Sequence, residues 1–260
     1  YATIALGNSA DTDAAVAAAR AAFPGWAATP VADRIAAAER ILEAYRARQD
    51  DMAEAISRTM GAPIDFARSA QYGAGLENIK DAIEAAKAFR WDWSEGPEDH
   101  HLMMEPVGVI GMITPWNWPI SQVTLKAAPA IIAGCTMVVK PSEFTPLDAM
   151  LFAEIVDAAD LPPGVFNLVN GDGPGVGNDL TTHGDVDMIS FTGSTRAAQA
   201  ITAAAAPTLK RVRTELGGKG ANIIFADAGP RAVKRGVRNC FSNTGQSCNA
   251  PTRMSVERSI

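Results

Sequence analysis

The chain has 260 residues, 47% hydrophobic and 20% charged, which is enough apolar material for one large core or two modest ones and excludes a disordered chain. A formal charge of -6, from 23 Lys and Arg against 29 Asp and Glu, supplies no basic field for nucleic acid or anionic lipid, so a small molecule is the expected partner. Three cysteines, Cys135, Cys240 and Cys248, are too few and too unevenly placed for a disulfide framework or a zinc site with paired ligands, and a reducing cytoplasm is the expected compartment.

In chain order, Asp11 to Ala22 is Ala-rich and predicts a first helix, and Thr29-Pro30 then offers an N-cap and a first-turn proline for a second. In that second helix Val31, Ile35, Ala38, Leu42 and Tyr45 recur at spacings of four and three, which lines one face for burial. Leu76, Ile79, Ile83 and Ala86 repeat the pattern in a third long helix. Trp91 to Asp99 turns polar and contains Gly and Pro, and from His101 the sequence reads as strand. Short apolar runs then alternate with helical ones: Val107–Ile113, Thr136–Val139, Val165–Val169, Val186–Phe191 and Ala221–Phe225 are the predicted strands, with a basic strand over Lys210–Arg213. Such runs joined by helices predict a doubly wound parallel α/β sheet, whose ligands bind at the carboxyl edge. The apolar stretch Ala127–Val139 is too short to cross a bilayer and is broken by Pro129 and Gly134, and Tyr1 to Leu6 leads into a polar segment without the pattern of a secretory signal, so no membrane partner is expected.

Four constellations fall after predicted strands. Thr114-Pro115-Trp116-Asn117-Trp118-Pro119 places an amide between two indoles on a backbone fixed by proline; it reads either as a ligand-facing amide or as an Asx turn capping the next helix. Lys140-Pro141-Ser142-Glu143 offers a cation, a hydroxyl and an acceptor suited to ribose and phosphate, or else a solvated strand end. Gly171 to Gly177, with Gly173 inside it, and Phe191-Thr192-Gly193-Ser194-Thr195 are glycine-bearing turns able to approach phosphates, but neither fits a generic nucleotide motif, and as turns they need no ligand. Glu215-Leu216-Gly217-Gly218 precedes Asn243-Thr244-Gly245-Gln246-Ser247-Cys248, a carboxylate and a thiol. A thiolate attacks an aldehyde carbonyl well and a carboxylate can accept the proton of a thiol or a water, although a lone cysteine is more often a buried apolar residue. Cys135 and Cys240 are assigned to that buried class. His100, His101 and His183 have no metal-ligand spacing, so no metal is expected.

With Pro115-Trp116-Asn117-Trp118-Pro119, Lys140-Pro141-Ser142-Glu143, Phe191-Thr192-Gly193-Ser194, Glu215-Leu216-Gly217-Gly218 and Gly245-Gln246-Ser247-Cys248 in this order, the chain resembles the aldehyde dehydrogenase superfamily from near Leu6 to Arg253. The resemblance implies a modified Rossmann domain over 1–97 and 106–217, an oligomerisation strand at 98–105, and the start of a second α/β catalytic domain at 218–260. It also implies a chain cut at both ends, since family members continue past this cysteine. The 260 residues alone are then expected to be inactive, and the full-length protein to be a homodimer or homotetramer.

The resemblance implies NAD as cofactor, with NADP possible and NAD favoured by Glu143, and an aldehyde as substrate. Cys248 would be the nucleophile, Asn117 and the Cys248 backbone N–H the oxyanion donors, and Glu215 the base for hydrolysis of a thioester. Lys140 and Glu143 would hold the adenosine ribose, Trp116 and Gly173 would line the adenosine side, Gly193 and Ser194 would meet the pyrophosphate and Phe191 would pack near the cofactor, with Thr114, Pro115, Ser142 and Leu216 as further cofactor-binding residues. Two departures from the family pattern are Ala198, where Gly is frequent and the added methyl bears on helix–strand packing or the cofactor's approach but is small enough to be expected to be tolerated, and Pro251 after the cysteine, at the substrate mouth. The alternatives are a dehydrogenase that passes the acyl group to CoA, against which Glu215 speaks, and a non-catalytic NAD-binding module.

Overall fold

The computed structural model describes residues 1–96 and 100–260. The chain opens with α1 (Ser9–Ala28), α2 (Val31–Ala47) and α3 (Gln49–Met60), followed by a single turn α4 (Ile64–Phe66), a π-helical turn at Ala67–Gln71 and α5 (Tyr72–Ala88). A capping box starts α1: the Asn8 side chain accepts from helix amides while the Asp11 carboxylate accepts from the Asn8 N–H at 2.9 Å. Thr29 does not cap α2 as its sequence suggested. Its hydroxyl donates back to Gly25 O at 3.0 Å, closing the end of α1, and Pro30 takes the cap position without a side-chain bond.

Next come β1 (Asp92–Glu95) and β2 (His100–Met103), paired antiparallel, so the polar stretch after Trp91 is itself a strand. The expected strand at 98–105 begins on residues outside the described set; in its described part, β2 covers His100–Met103, and Met104 and Glu105 are not strand. There follow β3 (Val109–Ile113), α6 (Pro119–Ala133), β4 (Thr136–Lys140), α7 (Leu147–Ala158), β5 (Phe166–Leu168), a π turn at Gly173–Gly177, α8 (Asn178–Thr182), β6 (Met188–Gly193), α9 (Thr195–Ala205) and β7 (Arg211–Leu216). All five strands pair in parallel in the order β5-β4-β3-β6-β7.

Alternation along each strand sorts the side chains to two faces. Ile110, Met112, Met137 and Val139 join α2, α5, α6 and α7 in one core, which also holds Tyr45 and Phe152. Val109, Ile113, Val138, Ile189 and Phe191 pack on the other face with Val16 and Ala19 of α1 and Leu180 of α8. Both faces are therefore covered, which is why the strands read as continuous apolar runs. Arg34, 4% exposed, ties the layers by donating to Ile132 O at 2.8 Å and to Ala27 O and Thr29 O at 3.1 and 2.8 Å. Gly108 lies at φ +123°, where a Cβ would stand 1.9 Å from Asp187 Oδ2.

The predicted strand Ala221–Phe225 forms, as β8 (Ala221–Ile224), but it does not join this sheet. It pairs in parallel with β9 (Arg253–Val256) across α10 (Ala232–Phe241), a separate two-stranded sheet. The basic strand also extends further than its composition indicated, and Glu215 and Leu216 are its last residues rather than a following turn. The chain winds outward through β3, β4 and β5 and returns to place β6 beside β3, so a crevice opens at the carboxyl ends of β3 and β6. Among the described residues no helix is long and apolar enough to cross a membrane.

Candidate active site

Sheet register brings the predicted residues to one edge. Lys140 of β4, Ile113 of β3 and Phe191 of β6 lie in a row across the sheet, and Glu215 and Leu216 of β7 stand opposite Thr192 and Gly193. Beyond β3, Thr114 is buried and its N–H donates to Lys140 O at 3.1 Å, which steers Pro115 and Trp116 over the crevice. Pro119 begins α6, where its missing N–H is no loss.

The loop that carries Cys248 is bent by three successive left-handed residues, Asn243, Thr244 and Gly245, at φ 53°, 56° and 75°. That bend turns the chain after α10 back toward the β3 turn. There the Asn117 amide donates to Gln246 O at 2.8 Å, the Trp118 indole donates to Ser247 Oγ at 2.7 Å, and the Asn243 amide donates to Asn117 O at 2.8 Å. Cys248 is half-buried beside them, whereas Cys135 is buried in the core, where loss of solvent pushes its thiol pKa up. Cys240 is partly exposed on α10, so it does not belong to the buried class assigned to it.

A cleft of about 370 Å³ is lined by Pro115, Trp116, Asn117, Gly193, Ser194, Glu215, Leu216 and Cys248, eight of the predicted site residues. An adjoining groove of about 510 Å³, mostly apolar, takes Gly173 and Phe191, with Pro174, Gly177, Arg196, Ala197 and Ile201. Trp116 and Gly173, expected on the same adenosine side, therefore line different hollows. Gly193 is required by packing, since a Cβ there would meet Phe191 Cζ at 2.5 Å. Ser194 caps α9, its hydroxyl accepting from Ala197 N at 3.2 Å. Ala198 sits within the core on this face, so its methyl is accommodated there. Pro251 packs beside Gly220, its Cα 4.0 Å from where a Gly220 Cβ would lie.

Lys140, Ser142 and Glu143 line neither hollow and stand on the next turn along the edge. Lys140 is 3% exposed; its ammonium donates to Pro141 O and Gly171 O, each at 2.7 Å, and lies 3.6 Å from Glu143 Oε2. Burial lowers its pKa, and Glu143 partly offsets this. Lys140 thus holds the Glu143 carboxylate at the sheet edge, while the Ser142 hydroxyl accepts from Phe144 N at 3.3 Å.

Sequence reasoning passed over Lys126. It projects from α6 to donate to Ser190 Oγ at 3.1 Å, burial brings its pKa down to about 8, and Glu215 acts in the opposite direction. The signal was present, because Lys126 carries the only charge between Pro119 and Val139. Gln71 and Asn243, which tie the two turns together, gave no such sign. Among the described residues no cluster of His, Cys, Asp and Glu could hold a metal ion.

The model of the aldehyde dehydrogenase family matches residues 1–260. A 3-succinoylsemialdehyde-pyridine dehydrogenase from a Pseudomonas species is 52% identical over 256 residues, 97% of this chain and 53% of that protein. The crystal structure of an aldehyde dehydrogenase from Bartonella henselae superposes with a TM-score of 0.96 at 56% identity, covering 99% of this chain and 54% of that one. A mutant of aldehyde dehydrogenase C from Pseudomonas syringae, solved with NAD+ and octanal, gives 0.95 at 52% identity, covering 98% and 52%. The chain thus spans about half the length of the relatives it matches. With the parallel sheet, the ordered motifs and these likenesses in agreement, the chain belongs to the aldehyde dehydrogenase family.

Proposed function

We propose that the full-length protein oxidises an aldehyde to a carboxylic acid with NAD(P)+, through a covalent adduct on Cys248. The observation that carries this reading is the convergence of Cys248, Asn117 and Glu215 on one cleft from three distant parts of the chain. Residues 1–97 and 106–217 then form the dinucleotide-binding domain, 98–105 an oligomerisation strand, and 218–260 the start of a catalytic domain. The exposed apolar side chains Ile223, Phe225, Val233 and Val237 around β8 and α10 fit a part that packs against more protein, so catalysis is assigned to the full-length protein rather than to these 260 residues.

The residues present suit a dinucleotide. The apolar groove offers a slot for a flat base beside the sheet's switch point, and Thr192, whose buried hydroxyl has no partner, is among the residues lining the cleft. When bound there, a nicotinamide cofactor would supply the oxidant, a hydride acceptor, for the carbon held on Cys248. Lys140 and Glu143 would hold the adenosine ribose, and the negative charge of Glu143 disfavours a 2′-phosphate and so favours NAD over NADP.

In this reading the Cys248 thiolate adds to the aldehyde carbon, forming the C–S bond of a thiohemiacetal. The Asn117 amide and the Cys248 N–H stabilise the oxyanion. Loss of hydride leaves a thioester, and Glu215 takes a proton from the water that cleaves it, releasing the acid and the thiolate. The test is a pre-steady-state experiment on Glu215→Gln with aldehyde and NAD+ in excess over enzyme. A burst of about one NADH per active site followed by slow release supports hydrolysis by Glu215. Unchanged steady-state release of acid, or release that requires CoA, contradicts it.

A further inference from the structure

Gln71 ends the π-helical turn before α5, is 0% exposed, and does not line the catalytic cleft. Its amide nitrogen nevertheless reaches both the Asn117 turn and the loop that carries Cys248, donating to Asn117 O at 3.2 Å and to Asn243 Oδ1 at 3.2 Å. The orientation is forced. Asn243 Nδ2 is committed to Asn117 O at 2.8 Å and Gln246 O at 3.2 Å, so Asn243 must present its oxygen to Gln71. A reversed Gln71 amide would set oxygen against oxygen at both contacts. Asn117 Nδ2 then closes the ring by donating to Gln246 O at 2.8 Å.

This arrangement has a structural cost. Gln71 Oε1 is buried without a partner, and the backbone departs from α-helical winding to bring the side chain into place. An unmet buried acceptor and a π turn are features that packing alone removes and that functional sites retain. Without Gln71, the Asn243 amide still donates to Asn117 O and Gln246 O, but its oxygen loses its donor and both the Asn117 turn and the Cys248 loop lose their tie to the π turn. The Asn243 side chain is held on a residue at φ 53°.

We infer that Gln71 is a positioning residue that sets the separation between the Asn117 turn and the Cys248 loop, and with it the width of the oxyanion-binding gap. It acts through Asn117 and Asn243 and touches no reactant. The inference rests on the reading of Cys248 as nucleophile and Asn117 as oxyanion donor. An oxyanion gap matters in the transition state and little in the ground state, so its distortion lowers kcat and leaves KM nearly unchanged.

The test uses the full-length protein with Gln71→Met, which keeps the volume and removes both donors, and with Asn243→Gly, which keeps the left-handed backbone. Each is expected to lower kcat by roughly 10- to 100-fold, within the range for losing an oxyanion donor or its alignment. NAD Kd and the rate of Cys248 alkylation by iodoacetamide, which needs no oxyanion gap, should stay within about twofold. The double variant should lose little more than the worse single one, because both break the same ring. Unchanged kcat, or a parallel fall in kcat, NAD affinity and alkylation, overturns the inference. Should Gln71→Met fail to fold, the same signature in Asn243→Gly carries the test. Cys248→Ala is the separate control: turnover that survives it ends the functional reading itself, whatever Gln71 does.

Discussion

Replacing Asp148 by Asn should remove a pH-dependent penalty on folding. Asp148 lies in the first turn of α7, 0% exposed, and neither carboxyl oxygen has a hydrogen-bond partner of good geometry. The nearby amides of Asp148 and Ala149 pull its pKa down slightly, but burial dominates and raises it from 3.8 to about 8. The carboxyl is therefore neutral in the folded protein at pH 7 and ionised in the unfolded chain. Because the folded state binds the extra proton, stability falls as pH rises from near 4 toward 8, by about 1.4 kcal/mol per unit. Between pH 5 and pH 7 this single group removes about 3 kcal/mol, and the loss levels off above its folded pKa. Asn has nothing to titrate. Urea unfolding of the protein and of Asp148→Asn at pH 5 and pH 7 measures the difference directly. The pH-dependent loss should be smaller in the variant by about 3 kcal/mol. An equal loss in both would mean that Asp148 is ionised in the fold and that burial does not control it.

Gly108→Ala should destabilise the fold by roughly 2–4 kcal/mol in thermal or urea unfolding, because its φ of +123° and the 1.9 Å approach to Asp187 Oδ2 leave no room for a methyl. A loss below the usual Gly-to-Ala range would show that Asp187 gives way. Lys126→Met should remove an ionisation near pH 8 from the pH dependence of kcat, since Lys126 loses its charge as pH rises through about 8 beside Glu215. An unaltered profile would exclude Lys126 from the chemistry.

The sheet was legible because both its faces are covered: Val109–Ile113 and Thr136–Lys140 are buried at every position, and unbroken apolar runs are what such strands require. The fate of Ala221–Ile224 was not legible, since local composition specifies a strand but not its partner, and β9 lies beyond α10. Likewise Thr29 has the chemistry of an N-cap, and only the tertiary path decides that its hydroxyl turns back to Gly25. At the site, Cys248, Glu215 and Asn117 were singled out by motif order, which carries information that single residues lack, and the fold brings the three to one cleft. Gln71 and Asn243 were not, because a hydrogen-bond ring joining positions 71, 117, 243 and 246 leaves no periodicity in the chain. Lys126 sits between these cases: a lone charge in an apolar helix marks a buried cation without saying what it faces.

The most direct test of the central claim is to trap the covalent intermediate. Full-length protein mixed with an aldehyde and NAD+ would be quenched in acid during the first turnover, digested, and mapped by mass spectrometry. The expected result is an acyl group on the peptide carrying Cys248, formed in proportion to NADH. NADH formed while Cys248 stays unmodified, or an acyl group on Cys135 or Cys240 instead, would contradict it.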